Sequence, residues 1–247
     1  MQKIDQLDKN ILFALTLDAK QSVKQIARHL KMKQDTVAYR IKQLEKAEII
    51  TGYFTIIDYT KLGYSLVRFY LKLQSTTPLI EDEIIHSIIS EKSIFTVYKT
   101  EGDWDIAVGF LIRDLETFDV WYRNFLVQYK QYIFTDTKAL FLEYTQYPRN
   151  YLTKKELYNY ESIRIGMAKP LVTDETDLHI LRLLAKNAKI SLRELAHALK
   201  MTSMAIRYRL KMLEKKQIIL GYSALLDISK LGYHYYKIDL DLNDLKQ

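Results

Sequence analysis

The chain contains no cysteine. Disulfides, thiol nucleophiles, iron–sulfur clusters and every cysteine-bearing zinc site are thereby excluded. Glycine and proline are scarce, at 7 and 3 residues in 247, too few for a collagen-like or low-complexity chain. No apolar run approaches the roughly 20 residues of a membrane-spanning helix. The first twenty residues interrupt their apolar positions with Asp5, Asp8, Lys9 and Asp18, which does not read as a secretory signal. No GxGxxG, phosphate-loop or GxSxG motif occurs. The five histidines, His29, His86, His179, His197 and His234, lack HxxxH or HxH spacing, so no metal site is expected. What is left is a folded, soluble chain of one to three domains, 48% hydrophobic and 27% charged. It is expected in a reducing compartment, without a cofactor and without a membrane partner.

Charge is unevenly placed. Residues 1–63 carry a net charge near +4, residues 64–145 near −4 and residues 170–233 near +5. Two basic blocks flank an acidic one, so a polyanion would favour the flanks and avoid the middle.

The flanks are also copies of each other. Residues 5–73 match residues 174–242 without a gap at an offset of about 169, with roughly 29 of 69 positions identical. Lys61-Leu62-Gly63-Tyr64, for example, returns as Lys230-Leu231-Gly232-Tyr233. The block from Gln74 to Glu143 has no second copy.

Within one repeat, Asp5 caps a helix carrying Ile11, Leu12 and Leu15. Ser22 caps a second helix, Val23 to Leu30. After a turn of about three residues, a third helix runs to Lys46 with Val37, Ile41 and Leu44 on its inner stripe. Ile49 to Ile57 then reads as a strand, bent at Gly52. Thr202 caps the third helix of the second copy, whereas Lys33 stands at that place in the first and predicts a looser start. Three short helices and a β-ribbon describe a winged helix-turn-helix, in which the second helix braces on the phosphate backbone and the third enters the major groove. The outward side chains of the third helices, Gln34, Thr36, Tyr39, Arg40 and Gln43, and Ser203, Arg207, Tyr208, Arg209 and Lys211, are the candidate DNA contacts.

From Tyr64 the pattern is β, α, β, β, α, β, a ferredoxin-like unit: strands over Leu66–Leu73, Ile94–Lys99, Trp104–Ile112 and Tyr132–Tyr144, with helices over Leu79–Ser90 and Leu115–Tyr129. The chain is therefore α+β. Its segments are a first winged helix-turn-helix (1–63), a ferredoxin-like domain (64–146), a linker (147–170), a second winged helix-turn-helix (171–232) and one orphan strand (233–247). Ser162 to Pro170 is the expected hinge. The orphan strand is expected to be disordered or to borrow a partner edge. The tyrosines of residues 144–160 are expected to pack on a neighbouring domain.

Asp5-x-x-Asp8-x-x-Ile11-Leu12, Leu44-Glu45, Ile49-Ile50-x-Gly52-Tyr53, Lys61-Leu62-Gly63 and, inside the middle unit, Gly102-Asp103-Trp104-Asp105 together resemble the Lrp/AsnC (feast/famine) transcription regulators. The resemblance implies a cytoplasmic regulator that binds double-stranded DNA and forms a homodimer or higher oligomer through the ferredoxin-like domain. It also implies a small-molecule effector, often an amino acid, near Gly102, Asp103 and Asp105. A hairpin turn at Gly102 accounts for the carboxylates of Glu101, Asp103 and Asp105; Asp105, alternating onto the face opposite Trp104, is the candidate to hold an effector's ammonium group. Most relatives have one module, whereas this chain carries a duplicated and incomplete pair. The rival reading is an enzyme, since siroheme decarboxylases resemble the same family. The acidic middle unit, with only His86, Arg68, Arg113 and Arg123 to hold an anionic substrate, weighs against it.

Overall fold

The computed structural model describes residues 4–153, 161–238 and 240. Tyr158, Tyr160 and the rest of the C-terminal segment lie outside the described residues.

The first repeat folds into helices α1 (Gln6–Leu17), α2 (Val23–Leu30) and α3 (Gln34–Lys46), followed by strand β1 (Ile50–Ile57). Asp5 and Asp8 close a reciprocal capping box at the start of α1, and Ser22 with Gln25 does the same for α2. Lys33 gives α3 no side-chain cap. Ile11, Leu15, Ile26, Val37, Ile41 and Leu44 form one core. Cutting any one of the leucines or isoleucines to alanine would cost about 2–5 kcal/mol.

The middle unit consists of β2 (Ser65–Leu73), α4 (Pro78–Ser90), β3 (Ile94–Lys99), β4 (Ile106–Ile112), α5 (Leu115–Tyr129) and β5 (Ile133–Phe141). Pro78 sits in the first turn of α4 behind the Thr77 cap, and Asp114 caps α5. The strands form an antiparallel sheet in the order β3-β4-β2-β5, the ferredoxin-like arrangement. Alternation along β2 and β4 sends Val67, Phe69, Val108 and Phe110 into a core shared with Ile84, Ile88, Phe118 and Phe125 of the two helices. Arg68 and Tyr70 face the opposite side.

After a short hairpin, β6 (Glu143–Gln146) with β7 (Ile163–Gly166), come α6 (Glu175–Lys186), α7 (Leu192–Ala198), α8 (Ser203–Lys215) and β8 (Ile219–Leu226). Thr202 caps α8, accepting from the Ala205 amide at 3.2 Å. The core of this second unit, Ile180, Leu184, Leu195, Ile206, Leu210 and Leu213, repeats the first.

The sequence predicts a ribbon inside each repeat. The structure corrects this: each repeat supplies one strand, and β1 pairs antiparallel with β8. The register runs from Ile50↔Leu226 to Ile57↔Ile219, with Phe54 opposite Ser223. Ser223 is the counterpart of Phe54 at the repeat offset, so the ladder has a local twofold axis at its centre. Its two bulges, which skip Thr51 and Leu220, are counterparts as well.

The contacts around the ribbon obey the same axis. The Ala19 amide donates to Tyr222 O at 2.8 Å, and the Ala188 amide to Tyr53 O at 3.1 Å. Lys20 Nζ stands 3.6 Å from the Tyr222 ring centre, and Lys189 Nζ 3.5 Å from that of Tyr53. Lys61 donates to the carbonyls of Lys216 and Gln217 at the end of α8, and Lys230 to those of Ala47 and Glu48 at the end of α3, where a cation complements the helix dipole. Helix α1 packs on β8, and α6 on β1. Ala224 and Leu226 lie in the first core, and Ala19 in the second. The two units flank the sheet in sequence but are one paired body in space.

The segment expected as a hinge carries secondary structure. Ile163–Gly166 is a strand, and buried Ile165 joins Ile56, Tyr59 and Leu66 in a small core between the ribbon and the sheet. The Leu171 amide donates to Lys61 O at 2.7 Å. Upstream, buried Leu152 belongs to the first core. At the other end, residues 233–238 form no strand. They cross the open face of the sheet, where Tyr235 stacks on Tyr98 with centroids 6.3 Å apart and Lys237 Nζ lies 3.8 Å from the Tyr70 ring centre. The remainder of the expected orphan strand, residue 239 and residues 241–247, lies outside the described residues.

Candidate nucleic-acid interface

Helix α3 buries Val37, Ile41 and Leu44, and α8 buries Ile206, Leu210 and Leu213. That stripe fixes which side chains point outward. Gln34 and Tyr39 are exposed on α3, and Ser203, Arg207, Tyr208 and Lys211 on α8, while Thr36 and Gln43 are half-buried. Tyr39 and Tyr208, counterparts in the repeat, are 62% and 66% exposed, which is unusual for a side chain with a large apolar body. The expected contact residues thus fall on one outward strip per helix, with two exceptions.

The exceptions are Arg40 and Arg209. Arg40 Nη1 lies 2.8 Å from Asp5 Oδ2 and 3.0 Å from Asp8 Oδ1. Arg209 Nη1 lies 2.7 Å from both Asp174 Oδ2 and Asp177 Oδ1. The hydrogen bonds that Arg40 donates to Asp5 and Asp8, and Arg209 to Asp174 and Asp177, push the two guanidinium groups still further above their ordinary range. The Asp177 amide and the Arg209 guanidinium hold the Asp174 carboxyl below the usual carboxylate range. These arginines clamp the third helix of each unit to the N-terminus of the first. Among the described residues, their exposed neighbours on the same helices make no such ion pair to the first helix.

Sequence reasoning missed Lys42, which is exposed and equivalent to Lys211. It also missed the brace-helix cations Lys24 and Arg28 on α2 and Arg193 on α7, all exposed. Comparison of the two copies would have found Lys42, because a lysine stands at that position in both.

The loop expected to take an effector is occupied from within. Lys72 Nζ lies 2.9 Å from Asp105 Oδ1 and 2.8 Å from Gly102 O, while Asp105 Oδ2 accepts from the Leu73 amide at 2.7 Å. The carboxylate expected to face an effector's ammonium here pairs with the chain's own ammonium, that of Lys72. Asp103 is exposed and does not converge on this cluster. No helix among the described residues is long and apolar enough to cross a membrane.

Two braced third helices on a shared ribbon, joined to a ferredoxin-like sheet, define a double winged helix-turn-helix protein. The winged helix-turn-helix DNA-binding family matches it twice, over residues 4–51 and 173–219. An uncharacterized HTH-type transcriptional regulator of Pyrococcus furiosus is 35% identical over 106 residues, which is 43% of this chain and 70% of that protein. The chain belongs to the helix-turn-helix (HTH-type) transcriptional regulators. Among solved structures, an AsnC family transcriptional regulator from Agrobacterium tumefaciens aligns with a TM-score of 0.52 at 20% identity, covering 59% of this chain and 95% of that one. The siroheme decarboxylase NirDL aligns with a TM-score of 0.55 at 16% identity, covering 90% of this chain and 65% of that one. Both likenesses are of fold.

Proposed function

We propose that this protein is a sequence-specific double-stranded DNA-binding transcription regulator that acts by binding, and that each chain carries an already assembled pair of reading helices. The observation that carries this reading is the self-symmetric β1–β8 ladder. It sets α3 and α8 in equivalent positions about one axis, each with an outward strip of Tyr, Lys and amide or hydroxyl side chains. Two helices related in this way suit an inverted repeat whose half-sites are about one helical turn apart, or a multiple of that. Tyr39, Lys42, Tyr208 and Lys211, with Lys24, Arg28 and Arg193 on the braces, supply the phosphate contacts. Gln34, Thr36, Gln43, Ser203 and Arg207 address base edges.

The ferredoxin-like domain contributes self-association in this proposal. Its edge strands β3 and β5 leave Phe95, Phe134 and Leu140 more than half exposed, apolar surface suited to a further copy. The working compartment is the cytoplasm. The test is titration of the full chain against duplex fragments at rising salt. Affinity should fall steeply and linearly on a log–log plot. Absence of binding, or a flat salt profile, would overturn the reading.

A further inference from the structure

We propose that the two reading heads recognise unlike half-sites, so that the preferred duplex is an inverted repeat with two different arms. This inference rests on the DNA-binding reading above and adds its specificity. The frame that presents the heads is symmetric. The buried stripes coincide in position, the arginine clamps coincide, and Tyr39 and Lys42 return as Tyr208 and Lys211. The reading positions do not coincide. Gln34, Asp35 and Ala38 stand where the second head has Ser203, Met204 and Arg207, and all six are exposed.

The chemistry of these substitutions is not interchangeable. Arg207 presents a planar fork that can take the O6 and N7 acceptors of guanine together, whereas Ala38 offers only a methyl group. Asp35 accepts from the cytosine amino group and repels phosphate. Met204 has no such acceptor and presents apolar surface, 73% exposed, to a thymine methyl. Gln34 can fork onto adenine, while Ser203 is undiscriminating. From the first head to the second, the strip gains two units of positive charge, one by loss of Asp35 and one by gain of Arg207. A regulator made of two identical chains meets both arms of its site with the same helix. Here the ribbon holds two different helices in that relation.

The experiment is selection of bound fragments from a random duplex pool with the full chain. The selected duplex is then compared with its two palindromic derivatives, first arm doubled and second arm doubled. The selected duplex should bind roughly tenfold to a hundredfold more tightly than either palindrome. Arg207→Ala should erase a guanine preference in one arm only, with an unchanged circular dichroism spectrum because the side chain is exposed. Ala38→Arg should move the preference toward the palindrome built from the second arm. Selection of a palindrome, or equal affinity for all three duplexes, would overturn this inference and leave the DNA-binding reading standing. Absence of salt-dependent binding to any duplex would overturn both.

Discussion

Phe54 lies across the ribbon from Ser223, its own counterpart in the second repeat. A ladder centred on such a pair is self-complementary, because every residue pair on one side of it has its counterpart pair on the other. The two repeats supply both strands of the ladder from one chain.

That register predicts the behaviour of a shortened chain. A protein ending at residue 169 keeps β1 and loses β8, exposing a strand edge and the apolar surface beneath it. It should self-associate, with sedimentation showing a dimer or larger species. A stable, well-folded monomer would show that the ribbon is dispensable.

The arginine clamps should act on stability, and unequally. Asp8 is 1% exposed whereas Asp177 is 15% exposed. Arg40→Ala therefore strands a buried carboxylate and should cost about 1–3 kcal/mol. Arg209→Ala should cost about 0.5–1 kcal/mol, the range of exposed pairs. Denaturant titration of the two variants checks the order; equal losses would contradict it.

Acid should act through the same groups. The Asp174 pKa is lowered in the folded state, so its stabilisation is fully present above the unfolded value and disappears as pH falls through the folded one. Thermal midpoints of the wild-type protein should drop below about pH 4. In Arg209→Ala the part of that drop owed to the ion pair should be missing. Parallel curves for the two proteins would assign the acid sensitivity elsewhere.

Lys72 makes a prediction about effectors. With its ammonium held by Asp105 and Gly102, free amino acids should not raise the wild-type melting temperature through this loop. Lys72→Met should be less stable by about 1 kcal/mol. It should also gain a shift with added amino acid, because the vacated acceptors remain. A wild-type shift that Asp105→Asn abolishes would contradict the self-occupied site.

Phosphate contacts can be counted by salt. Replacing Lys211 by alanine should weaken binding to every duplex alike and reduce the log–log salt slope by about one. A sequence-selective loss would make Lys211 a base reader.

The helices of both units were legible in the sequence because local signals agreed. Ser22 and Ser191 mark starts, and the 3.6-residue stripes of Val37, Ile41 and Leu44 mark the inner face. The middle unit was legible for the same reason, through Pro78, Asp114 and the apolar strand Ile106–Ile112. Strand partners were not legible. A repeat shows that β1 and β8 are alike, but nothing local says that Ile50 meets Leu226 across a gap of most of the chain. The ion pairs of Arg40 were not legible because exposure on a helical wheel does not reveal a carboxylate on another helix. A signal was nevertheless present: Arg40, Asp5 and Asp8 all recur as Arg209, Asp174 and Asp177, whereas Asp35 and Ala38 do not recur. Both copies retain the clamp residues together with exposed Tyr39/Tyr208 and Lys42/Lys211, and they differ at Asp35/Met204 and Ala38/Arg207.

Separate subunits must find each other before they can grip a site together, so their occupancy collapses faster than their abundance when they are dilute. The β1–β8 ladder makes that meeting intramolecular, at an effective concentration on the order of millimolar. Occupancy of a site should then scale in simple proportion to copy number, and even a sparsely expressed gene would supply grippers that never come apart by dilution.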